Sequence, residues 1–100
     1  MTSIYKNKME ALQGLRRETE TCKRYMKASR KKVKEGKIGA AISLLDIAQI
    51  AKTCAEDAHE ALWSLSKGNL KDEEFESFCE SETLGMEINK VCREIRAARK

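Results

Sequence analysis

His59 is the only histidine in the chain, and it follows Glu56 by three residues. Glu-x-x-His on one helix is the spacing that two-metal carboxylate sites use, but such a site needs a second inward-pointing copy and further glutamates from other helices. No second copy exists, and the apolar periodicity of this stretch turns Glu56 and His59 outward, so no metal is expected there. The four cysteines, Cys22, Cys54, Cys79 and Cys92, are widely separated and include no C-x-x-C. Metal and redox chemistry both lose support from that spacing. Cys22 and Cys54 fall at core-facing positions of their helices and Cys92 adjoins one, where a reduced thiol behaves as a small hydrophobe. No glycine-rich phosphate loop, nucleophile elbow or usefully spaced Cys/His pair is present. The chain is not expected to be an enzyme or to hold a cofactor.

The cations offer a different chemistry, because they are sorted. Residues 1–37 hold 12 Lys and Arg against 4 Asp and Glu, residues 38–68 hold 2 against 4, and residues 69–100 hold 6 against 8. Within the last segment the acids come first, and Lys90, Arg93, Arg96, Arg99 and Lys100 follow with only Glu94 among them. On a helix, Arg16, Lys23, Lys27, Arg30, Lys34 and Lys37 form one stripe about 30 Å long, with Arg24 and Lys31 beside it. A helix dipole attracts cations to the last turn only. That accounts for Lys31, Lys32, Lys34 and Arg99 but not for Lys23, Arg24 or Lys27. Solubility alone is served better by mixed signs than by sorted ones. The candidate anion-binding residues are therefore Arg16, Lys23, Arg24, Lys27, Arg30, Lys31, Lys34 and Lys37, joined by Arg93 and Arg96.

Helices must position these residues. Proline is absent and strong helix formers dominate, which favours an all-α chain. The clearest element runs from Ala40 to Leu65, where Ala40, Leu44, Ile47, Ala51, Cys54, Ala58, Ala61 and Leu65 repeat at 4,3,4,3 spacing. Ala41, Ala48, Ala55 and Leu62 widen that strip, and a strip so broad needs two neighbours. We therefore expect a single domain over residues 1–100, an antiparallel bundle of three or four long helices. Helix 1 spans residues 3–34, with Thr2 or Ser3 as cap and a core face of Tyr5, Met9, Leu12, Leu15, Thr19, Cys22, Met26, Ser29 and Val33. Helix 2 spans residues 38–67. Helix 3 spans residues 70–99, with Asn69 as cap and Asp72 reaching back to it. Phe75 and Phe78 face the core, and a kink or break falls near 81–85, where the apolar row changes phase. Gly36 and Gly68 end the first two helices.

Tyr25, Ala28, Gly36, Ile38, Ala41, Leu45 and Ala48 fall at spacings that resemble one tetratricopeptide unit. The second helix is twice too long for that repeat, however, and no second copy follows.

Ile38, Ile42, Leu45 and Ile50 lie off the main strip, and a three-helix monomer does not cover them all. They point to a homodimer interface. The first residues contain no apolar leader and no apolar run approaches the roughly 20 residues of a membrane span, so a soluble, intracellular protein with no membrane partner is expected. An up, down, up topology brings the second half of helix 1 and the end of helix 3 to one pole, where their charges add. Such a pole suits the phosphate backbone of a nucleic-acid duplex, RNA or DNA, bound without strong sequence preference. Five aromatic residues are too few and scattered to stack single strands. The competing reading is an adaptor whose basic pole docks an acidic protein surface.

Overall fold

The carboxamide of Asn7 accepts a hydrogen bond from the Glu10 amide at 2.9 Å and so starts the first helix. The expected caps, Thr2 and Ser3, lie outside residues 5–99, the part of the chain this computed structural model describes. Among the described residues all regular structure is α-helical: α1 (Lys8–Lys34), α2 (Ile38–Ser66), α3 (Asp72–Glu82) and α4 (Leu84–Ala98). Helix α1 thus begins five residues later than expected, because Asn7 has the side chain that satisfies a first-turn amide.

The α1–α2 turn closes on Gly36, whose φ of +78° is the left-handed conformation that glycine adopts without strain. The Lys37 amide reaches back to the Lys32 carbonyl at 2.8 Å and ends the helix. At the far end of α2, Lys67 and Gly68 both have positive φ. The third expected helix is two segments that meet at Thr83. Its cap is Lys71, not Asn69, and the carboxylate that reaches back is Glu74, which accepts from the Lys71 amide at 2.8 Å and pairs with Lys8 at 3.1 Å.

Small residues hold α1 and α2 together. Ala11, Cys22 and Ser29 are buried on α1, and Ala41, Ala48, Ala51, Ala55, Ala58 and Ala61 on α2. The Ser29 hydroxyl donates to the Ala41 carbonyl at 2.7 Å, so this interruption of the apolar face is satisfied within the core. Leu84, Ile88, Val91 and Ile95 of α4 close the same core, with Leu15, Met26, Leu45 and Leu62. Gly14 has its reason in Tyr5, whose ring lies where a Cβ would project.

The inward face of α2 is rotated from the expected strip. Ala41, Leu45, Ala48, Ala55 and Leu62 are buried, whereas Ala40, Ile47, Cys54 and Leu65 are exposed. Two further expectations fail with that rotation. Phe75 is exposed, because α3 docks through Phe78 and Glu74 instead. His59 is half-buried against α3 instead of facing outward. Met9, assigned to the core, is exposed because the α1 contact begins at Ala11.

Helix α2 is also apolar in the aggregate. Its most apolar 18-residue window has a mean hydropathy of 1.4, and 28% of that window is buried. By length and composition alone, this helix is sufficient to cross a membrane, although no uninterrupted apolar run in it is that long. Much of its surface is left uncovered by its own chain.

Candidate anion-binding surface

Four interhelix contacts set the direction of α3 and α4. Lys8 meets Glu74, Arg16 donates to Ser77 at 3.1 Å, Lys23 pairs with Glu80, and Arg30 Nε lies 3.1 Å from Glu94. Both sequences of residues rise together, so α3 and α4 run alongside α1 in the same direction. The C-terminal ends of α1 and α4 therefore share a pole of a molecule 47 Å long.

The same contacts divide the expected cation stripe. Arg16, Lys23 and Arg30 recur every seven residues on the α1 face turned to α3 and α4, where each has a polar partner. Arg16 and Lys23 line a hollow of about 360 Å³ with Thr19, Glu20, Ser77 and Glu80. Lys32 and Lys37 both approach Glu35 at 3.5 Å. Slight burial pushes the Glu35 carboxyl up, but the two ammonium groups outweigh it and hold the carboxyl below its ordinary range. What remains open on α1 is Arg24, Lys27, Lys31 and Lys34, all exposed and spaced 3,4,3 on one outward face. Arg24 lies with its guanidinium carbon 5.5 Å from the Tyr25 ring centre.

On α4, Lys90 and Arg93 are exposed on the side next to Glu94, the residue that reaches Arg30. Arg96 follows Arg93 by one turn and is also exposed. It stands seven residues after Asn89, which lines a hollow with Gln49 and Thr53 of α2, and so sits on the α2 side. The pole therefore gathers Lys27, Lys31, Lys34, Lys37, Lys90 and Arg93, with Arg96 on its α2 side, while Arg16, Lys23 and Arg30 are held in interhelix contacts.

The expected interface residues also separate. Leu45 is buried, Ile38 packs against the core, and Ile42 and Ile50 are exposed. Rotation of α2 explains Leu45: it belongs to the inward face beside Ala41 and Ala48. Ile47, read as core, takes its place at the surface.

One polar cluster escaped the sequence reading. The His59 ring stacks on Phe78 with centres 3.6 Å apart, and Trp63 leans on the same phenyl at 5.5 Å. Ser81 donates to the Phe78 carbonyl, so His59 Nδ1 carries a proton and donates to Ser81 Oγ at 2.7 Å. Burial pushes the imidazole pKa down, although Glu82, 3.7 Å from Nε2, pulls it up. Burial also raises the Cys22 thiol to about 11, leaving it a protonated packing residue at neutral pH. Cys54, expected in the core, is exposed by the rotation of α2. Among the described residues, no three His, Cys, Asp or Glu side chains converge where they could hold a metal ion.

No protein-family model, curated protein or solved structure matches the chain.

Proposed function

We propose that this protein is a non-catalytic binder of nucleic-acid duplexes, contacting the phosphate backbone with Lys27, Lys31, Lys34, Lys37, Lys90 and Arg93. The observation that supports this reading most is the 4,3 row of Lys27, Lys31 and Lys34, which carry no ion pair although Glu80 and Glu94 neutralise their neighbours Lys23 and Arg30 and Ser77 bonds Arg16. Unpaired lysines at this density repel one another, and an external polyanion relieves that repulsion. Point charges on flexible stems read the backbone and not the base edges, so little sequence preference follows. Both RNA and DNA duplexes supply that charge.

The proposal includes a homodimer, since the aliphatic surface of α2 needs a cover. Charge reversal of Lys27 and Lys31 tests the binding surface by gel shift of a short duplex. Binding should weaken equally on unrelated sequences, whereas Arg16→Ala, which alters an interhelix contact, should change it little. An unaltered affinity after Lys27→Glu with Lys31→Glu would place the binding elsewhere, and a loss confined to one protein partner would favour the adaptor reading.

A further inference from the structure

Helices α3 and α4 cover one side of the α1–α2 hairpin; on the opposite side Tyr5 lies over Gly14, and the surface beyond it is open. On α2 that side presents Ala40, Ser43, Ile47, Ile50 and Cys54, all exposed and spaced 3,4,3,4, a row about 21 Å long without a charge in it. On α1 it presents Arg17, Thr21, Arg24 and Ala28, spaced 4,3,4 and turned away from Arg16, Lys23 and Arg30. The outer edge of the α2 row is acidic: Asp46 and Asp57 are exposed and carry no salt bridge. The open face thus carries Arg24 on one edge, an aliphatic middle and Asp46 on the other, while Arg17 at the Tyr5 end is paired with Glu18 at 3.3 Å.

We infer that this face binds a second copy of the chain, with the two-fold axis parallel to the helices. Rotation about that axis lays the aspartate edge of each copy against the arginine edge of the other, while levels along the bundle are preserved. The Ser29 to Ala41 hydrogen bond fixes those levels: Asp46 is as far into α2 from that bond as Arg24 is back along α1. Asp46 therefore meets Arg24 of the partner subunit. Each α2 packs on the other copy's α1, and the four helices form an antiparallel arrangement in which Ile50 lies at the level of the partner subunit's Thr21. The open row of about 21 Å, two helices or about 20 Å wide, gives on the order of 400 Å² per copy, the low end of specific interfaces.

A two-fold perpendicular to the helices would instead set aspartates against aspartates, which costs stability. A bilayer fits the face poorly, since Asp46, Lys52, Glu56 and Asp57 surround the same helix and would have to enter it. The parallel axis has a consequence that rests on the duplex-binding reading. It brings the two basic poles to the same end of the dimer, so that one duplex meets both. Arg24 is then a dimer residue with Lys31 at the rim two turns on, and Lys27 and Lys34 stay open.

Sedimentation in the absence of nucleic acid tests the dimer separately from duplex binding. The wild-type chain should sediment as a dimer and Ile50→Glu as a folded monomer with unchanged helical circular dichroism. Arg24→Asp and Asp46→Arg should each weaken association by about tenfold or more, and the two together should restore it. A wild-type monomer, with or without binding to phosphatidylserine vesicles, would overturn the inference. So would a dimer in which the paired swap fails to restore what each single change removes. A dimer that shows no affinity for any duplex would leave this interface standing and remove only the duplex reading.

Discussion

Two side chains carry the residue-scale tests. Thr19 is buried, and its hydroxyl is without a hydrogen-bond partner, an arrangement that costs the group its hydration with no return. Thr19→Val keeps the β-branched shape and removes that hydroxyl, so it should stabilise the fold by about 1 kcal/mol and raise Tm by about 4 °C. A fall in Tm would mean that the hydroxyl has a partner in solution. His59 supplies a pH test. Its folded pKa lies below the ordinary 6.5 because burial disfavours the imidazolium, so the unfolded chain takes up the proton more readily. The associated stability is complete above the unfolded value and is lost as pH falls below it and through the folded pKa. His59→Phe keeps the stack on Phe78 and removes the titration. Thermal melts from pH 7 to 5 should therefore fall more steeply for the wild type than for this variant, and parallel slopes would contradict the assignment. Neither behaviour could be read from the sequence. Thr19 was visible only as an interruption of an apolar face, and the Phe78, Ser81 and Glu82 that surround His59 lie about 20 residues away with no spacing rule to connect them.

At the scale of elements, periodicity identified the helices and left the phase of α2 open. Alanine occupies 40, 41, 48, 51, 55, 58 and 61, so two adjacent rows are about equally apolar and neither wins on hydrophobicity alone. The choice is made by packing: the row with Ala41, Ala48 and Ala55 brings α2 close to α1, and Ser29 secures it through the Ala41 carbonyl. A close seam tolerates little added volume. Ala55→Leu should destabilise by about 1 to 3 kcal/mol, while the same change at exposed Ala40 should leave Tm nearly unchanged. Equal effects at both positions would return the core to the row first expected. Helix ends divided in the same way. Gly36 and Gly68 marked theirs, because left-handed backbone nearly requires glycine. Asn7 and Lys71 did not mark theirs, because several polar residues nearby could cap equally well.

For the whole molecule, the sorting of charge along the chain was readable, and the up, down, up arrangement of α1, α2 and α3–α4 turns it into a pole. Which cations stay available was not readable. Glu80 and Glu94 neutralise Lys23 and Arg30 across 57 and 64 residues of sequence, and such pairing depends on the register of the third layer. What remains is a patch of about six cations at one end of a long bundle, doubled if two copies share that end. Its binding should be governed by release of counterions. The most direct measurement is the fluorescence anisotropy of a short labelled duplex titrated with wild-type protein between about 50 and 200 mM salt. Six phosphate contacts predict a log–log slope of affinity against salt of about −5 for one pole, and about twice that where one duplex meets both poles of the dimer, alike for unrelated sequences. No binding at the lower salt, or an affinity that salt leaves unchanged, would contradict the account of the basic pole as a phosphate-binding surface.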